Sequence, residues 1–155
     1  MNIIAKKSVN AGNYVSKSQV NELTSAYKQQ RWVDNSEKFG KADSLSVWFT
    51  VDELENFLER VKAGGGNGVR IHFGVFPQGY RKPEVAGMQT VVMVANRSKD
   101  GSLENAKELF VDRNGSPEIL ALDGPILCPP FCSSGGGGLG KTTLVVRDDK
   151  SMEVI

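Results

Sequence analysis

Histidine and cysteine are nearly missing from this chain: one of the first and two of the second in 155 residues. A zinc site takes four ligands, usually Cys, His or carboxylates. His72, Cys128 and Cys132 do not make up that number, so no metal site is expected. Two cysteines in a chain of this size are no disulfide scaffold, and the default compartment is the cytoplasm. Charge of one sign is lacking as well: 19 basic residues face 18 acidic ones, leaving +1. That balance argues against binding nucleic acid by neutralising phosphates, and no Lys/Arg run suggests an anionic membrane surface. The longest apolar runs are about six residues, far short of the roughly twenty that span a bilayer. Met1 to Asn10 has Lys6 and Lys7 but no apolar stretch after them, so a secretory leader is not expected.

What is present has the patterning of one folded α+β domain. Thr50 and Glu53 make a capping box. Leu54, Phe57, Leu58 and Val61 then recur at the spacing of an amphipathic helix, which Gly64 to Gly68 stops. Val69, Ile71, Phe73 and Val75 alternate with Arg70, His72 and Gly74, the period of a half-buried strand. Thr90 to Ala95 is apolar on both faces and should be the most central strand. Upstream, Ser16 and Gln19 form a second capping box, and Val20, Leu23 and Tyr27 mark a helix to about Trp32. Asp34 to Ser44 reads as a polar connection and Leu45 to Phe49 as a short strand or extended lead. Downstream, Asp100-Gly101 turns the chain, Leu103 to Phe110 has a short helical stripe, Asn114-Gly115 turns it again, and Ile119 to Leu122 is strand-like. The expectation is a single compact domain over residues 1–132, with two or three amphipathic helices packed on a mixed or antiparallel sheet. A Ser/Gly-rich linker over 133–141 and a strand-like tail over 142–155 follow. Residues 1–15 are expected to form an arm or an irregular lead-in.

Three features carry possible chemistry. Gly135 to Thr142 fits the phosphate-cradling Walker pattern, G-x-x-x-x-G-K-T. Its context is wrong: Pro129-Pro130 precedes it where a buried strand is needed, and Thr142 to Val146 is β-branched where a helix is needed. A flexible linker is the preferred reading, no cofactor is expected, and nucleotide binding ranks last among the functions considered. Cys128-Pro129-Pro130-Phe131-Cys132 should be extended, because polyproline II advances about 3.1 Å per residue. That holds the two Cα atoms beyond the roughly 7 Å limit for a disulfide unless the chain turns at Pro130-Phe131. Two free thiols, with Phe131 as anchor, are expected. Arg70, His72, Tyr80 and Arg81 form the candidate binding patch. A lone histidine without a nucleophile at a telling spacing is more simply structural than catalytic. Trp32 and Trp48 suit core and interface equally.

Gly68-Val69-Arg70-Ile71-His72-Phe73-Gly74 and Gln89-Thr90-Val91-Val92-Met93-Val94 resemble a group of small bacterial proteins. These pair a helix with a G-[VI]-R-[IV]-x-[FY]-x strand and a [KQ]-T-[VL]-V strand, and many end in a segment like Cys128-Pro129-Pro130. The likeness spans about residues 45 to 132 and implies a cytosolic bacterial protein. The group has no known activity, so no functional residue carries over.

The reading that results is a non-catalytic interaction or small binding module. Its partner would be another protein, or a second copy of the chain reached through the tail, with no role for nucleic acid or membrane. The alternative is a small enzyme with a pocket around Arg70, His72 and Tyr80. The tail itself, over 142–147, is expected to pair with a sheet edge, since an isolated strand is unstable in water.

Overall fold

A computed structural model describes residues 11–132 and the backbone of two tail strands, 144–146 and 152–154. The chain is α+β, as expected. It forms two compact units assembled from interleaved segments: one includes Phe49–Gly74 and Val91–Pro125, the other Val15–Trp48, Val75–Thr90 and the chain from Ile126. Each has its own hydrophobic core.

The first unit is built on helix α3 (Val51–Ala63), which follows α1 (Lys17–Tyr27) and α2 (Val33–Phe39) in the chain. Its capping box forms as expected. The Thr50 hydroxyl accepts from the Glu53 amide at 3.0 Å, and the Glu53 carboxylate accepts from the Thr50 amide at 2.9 Å. The buried residues of α3 are Phe57 and Val61, with Leu54 packed beside them. Leu58, expected in the stripe, is exposed. Leu54, Phe57 and Val61 already complete an i, i+3, i+7 face, and Leu58 stands one step of about 100° around the helix from Phe57.

Strands β2 (Gly68–Val75), β3 (Gln89–Ser98) and β4 (Ala106–Glu108) lie side by side in that order. β7 (Ala121–Leu122) also pairs antiparallel with β3, matching Met93 to Leu122. β3 is the central strand, as its two-sided apolar composition requires: Met93, Val94, Ala95 and Asn96 are all buried. Leu109 and Leu120 sit just outside the short strands and complete the core, tied by Leu109 N–H to the Ala95 carbonyl (2.8 Å) and Ala95 N–H to the Leu120 carbonyl (2.9 Å). Strands β5 (Phe110–Arg113) and β6 (Ser116–Ile119) form a hairpin. Its two-residue turn is Asn114-Gly115, both with positive φ, the pairing a tight hairpin favours. The helix expected over Leu103 to Phe110 is therefore replaced by β4 and the start of β5. Fewer helices form than the sequence pattern allows. The ladder to β3, with Arg97 opposite Lys107, gives 106–108 backbone partners that one isolated turn of helix cannot supply.

The second unit begins with a helical run longer than expected. It passes through a π-helical segment, Lys28–Trp32, and continues past Trp32 into α2. The run ends at Gly40, whose φ of +82° makes the left-handed stop that a β-carbon would oppose. No residue of this run is buried, and Leu23 is exposed. Phe39 at its end packs against the core of this unit, and polar ties hold the rest. The Tyr27 hydroxyl donates to Gln89 Oε1 (2.7 Å), and Trp32 Nε1 donates to the Asp43 carbonyl (2.7 Å). β1 (Ser46–Trp48) pairs antiparallel with β8 (Ile126–Cys128). The core comprises Phe76, Val85, Met88 and Leu127, with Phe39, Val47 and Tyr80 packed against it.

The cysteines depart from expectation. Cys128 and Cys132 form a disulfide, with Cα atoms 4.8 Å apart. The segment turns rather than extends: the Phe131 amide donates to the Leu127 carbonyl at 2.9 Å, and both Cys128-Pro129 and Pro129-Pro130 are cis. Phe131 is exposed rather than the buried anchor expected. In the tail, β9 (Leu144–Val146) pairs antiparallel with β10 (Met152–Val154). The strand thus finds its partner within the tail. The Walker-like segment Gly135 to Thr142, the linker and residues 1–10 lie outside the described residues. Among the described residues no helix is long and apolar enough to cross a membrane.

Candidate functional site: an exposed strand edge

β2 departs most from its pattern. Period-two alternation identifies a strand, but it does not say which face is covered. Ile71 is 56% exposed, Phe73 83% and Val75 67%, and Arg70 and His72 on the opposite side of the pleat are exposed too. β2 therefore presents both faces along residues 70–73. Among the described residues its only strand neighbour is β3, so among them its outer edge has no ladder partner and runs beside an apolar stripe.

The four candidate patch residues divide between the units. Arg70 and His72 stand on β2 in the first. Tyr80 and Arg81 belong to the second, in the loop that follows Val75. There Tyr80 stacks on Phe76 with ring centroids 4.2 Å apart, and the Arg81 guanidinium lies 5.9 Å above the Tyr80 ring. Tyr80 is thus a half-buried packing residue, and Arg81 is an exposed cation laid over it. The loop is closed by backbone bonds: Phe76 N–H to the Met88 carbonyl (3.0 Å) and Gly87 N–H to the Phe76 carbonyl (2.8 Å).

Two polar networks escaped the sequence reading. In the second unit the buried Asp43 carboxylate accepts from the backbone amides of Ser44 and Gln89, each at 2.8 Å. The Ser44 hydroxyl donates to the Gln89 carbonyl, and Asn35 joins Tyr27 on the Gln89 side chain. Burial pushes the Tyr27 phenol above its ordinary value, and the Asp43 charge adds to the shift. These bonds place the helical run against residues 43–44 and 89; they present no free acid or nucleophile. In the first unit the Asp100 carboxylate accepts from the Ser102 hydroxyl (2.7 Å) and amide (3.0 Å), the Asn105 side chain (2.6 Å) and the Ser98 hydroxyl (2.9 Å). These donors, Ser102 foremost, hold its pKa well below the usual carboxylate range. The only hint in sequence was the Asp100-Gly101 turn. A cleft of about 460 Å³ in the same unit is lined by Gly65, Asn67, Arg97, Ser98 and Lys99. None of the expected patch residues lines it. Among the described residues no three His, Cys, Asp or Glu side chains gather to hold a metal ion.

No protein-family model, no curated protein and no solved structure matches this chain.

Proposed function

We propose that the protein is a non-catalytic interaction module that takes an extended segment of another protein along the outer edge of β2. The observation that supports this reading is the exposure of Ile71 and Phe73 on a strand whose outer edge has no neighbour among the described residues. An added strand would bond to the backbone groups of an edge that has no partner among the described residues and cover the two apolar side chains, the division of labour of β-strand addition. Arg70 and His72, on the other side of the same strand, favour a partner segment that alternates apolar and acidic residues.

The test is site-specific photo-crosslinking from position 73 in intact cells, with the exposed helix position Glu55 as control. Expected is a discrete partner captured from 73 and not from 55. The recombinant partner should then bind at least tenfold more weakly to Phe73→Lys. A crosslink to a second copy, with a concentration-dependent dimer in solution, would replace the partner protein by self-association. Equal capture from 73 and 55 would remove the reading.

A further inference from the structure

We propose that the cleft lined by Gly65, Asn67, Arg97, Ser98 and Lys99 binds a phosphate group, free or carried on a small molecule. This site is independent of the β2 edge and rests on different residues.

Two cations, Arg97 and Lys99, line this cleft, and a third, Lys107, stands across the ladder from Arg97. Arg97 and Lys99 are two residues apart at the end of β3, and both line the cleft. Lys107 on β4 stands directly opposite Arg97 in the antiparallel register. Like charges in that position destabilise a sheet, and a salt bridge to a nearby carboxylate would relieve the cost. None is present: among the described residues the one ion pair is Arg113 with Glu118, at 3.3 Å. Asp100, the nearest acid in sequence, keeps its negative charge but turns its carboxylate oxygens to Ser98, Ser102 and Asn105 and forms no ion pair with these cations.

One structural duty explains part of the cluster. Arg97 Nη1 donates to the Gly65 carbonyl at 3.3 Å, at the C-terminal end of α3, where a cation complements the helix dipole. That duty uses one of five guanidinium N–H groups. It leaves the rest of the fork free for a bidentate acceptor and gives Lys99 and Lys107 no task. Asn67 and Ser98 fix the cleft wall, since Asn67 Nδ2 donates to the Ser98 carbonyl (2.8 Å) and the Ser98 amide donates to Asn67 Oδ1 (2.9 Å). An exposed fork beside two ammonium groups suits a phosphate dianion: the fork matches two of its oxygens and the lysines act as point charges. With the Asp100 charge counted, two positive charges remain, which a phosphate dianion balances and a single carboxylate does not.

The experiment titrates the full chain with inorganic phosphate and, separately, with ribose 5-phosphate, against sodium chloride at matched ionic strength, followed by amide and guanidinium NMR shifts. Saturable shifts at Gly65, Asn67, Arg97 and Lys99 are expected. Tighter binding of the ester would identify a phosphorylated small molecule, and equal binding would identify phosphate itself. The double variant Lys99→Gln/Lys107→Gln should bind at least tenfold more weakly. Without ligand it should melt no lower than the parent, because a like-charge contact has been removed, yet lose the phosphate-induced rise in melting temperature. A structural role for the lysines would lower the melting temperature instead. Shifts that do not saturate, that scatter over other lysines, or that persist unchanged in the double variant would overturn the proposal.

Discussion

Truncating Phe57 and truncating Leu58 should have very different costs, although the two are neighbours with similar apolar bulk. Phe57 is 5% exposed and packs with Val61, Met93, Ala95, Leu109 and Leu120. Phe57→Ala leaves a cavity in that cluster, and such truncations cost about 3–5 kcal/mol. Leu58 is 46% exposed. Full burial of a leucine is worth about 1.5–3 kcal/mol, and here roughly half of that is at stake. Alanine is also the better helix former, so Leu58→Ala should cost about 1 kcal/mol or less. The assay is urea denaturation followed by far-ultraviolet circular dichroism, with the slope m reported for each variant so that a change in midpoint can be read as a change in stability. Tryptophan fluorescence is the wrong signal, because both tryptophans, Trp32 and Trp48, belong to the unit that does not contain α3. A Leu58→Ala cost equal to or above that of Phe57→Ala would show the core-facing side of α3 to be misassigned.

At the start of α3, Thr50→Ala should cost about 1 kcal/mol through loss of the cap. The Thr50 amide, and after it the Thr50 hydroxyl, lowers the Glu53 pKa from its ordinary value of 4.5. The contribution of Glu53 is therefore fully present above about 4.5 and disappears as pH falls through the lower folded-state value. Melting curves of Glu53→Ala and the parent should converge on that acid side, and a constant gap at all pH values would contradict the linkage. In the 98–105 loop, Asp100→Ala removes the acceptor of four hydrogen bonds, so the Ser102 amide should lose hydrogen-exchange protection; unchanged exchange there would refute the network. Thiol titration of unreduced, unfolded protein should find no free cysteine and, after reduction, two. Opening the five-residue loop should then cost about 2 kcal/mol on the chain-entropy estimate, and two reactive thiols before reduction would contradict the Cys128–Cys132 bond.

Local chemistry was legible in the sequence wherever one short-range rule decided the outcome. Ser16-Gln19 and Thr50-Glu53 cap helices because the reciprocal bonds need only residues three apart. Asn114-Gly115 turns a hairpin because both residues accept positive φ. Thr90 to Ala95 is central because only burial on two sides suits a run without polar alternation. What failed depended on long-range partners. The polar stretch after Trp32 is helical because Trp32 and Ser36 are tied to Asp43, and residue composition cannot show such ties. Residues 106–108 follow β3 into a sheet over their weak helical pattern. The disulfide needed a turn through two prolines that polyproline reasoning sets aside. Of the candidate patch, the exposure of Arg70 and Arg81 was readable from their charge and that of His72 from its place beside Arg70 on the polar side of the strand, whereas the stacking of Tyr80 on Phe76 was not.

The exposed stripe on β2 bears on how an edge strand avoids uncontrolled pairing. Edges are usually blunted by being short or by lysine, proline or a bulge. β2 is eight residues long and contains neither lysine nor proline; Arg70 is its one permanent charge. A long apolar edge without guards is either an aggregation liability or a surface in use, and the two differ in their response to a guard. Phe73 is 83% exposed, so Phe73→Lys removes little buried area and should change stability by less than about 0.5 kcal/mol, as surface substitutions generally do. It places a charge where an incoming strand would lie, so it should raise the concentration at which the protein stays monodisperse. Sedimentation velocity across a concentration series, beside urea denaturation of the same samples, measures both quantities. Unchanged stability with reduced self-association marks a bare edge, and the loss of partner crosslinking in the same variant separates a surface in use from a liability. A fall in stability of several kcal/mol would show that Phe73 is packed in solution, and the edge argument would then fail at its first step.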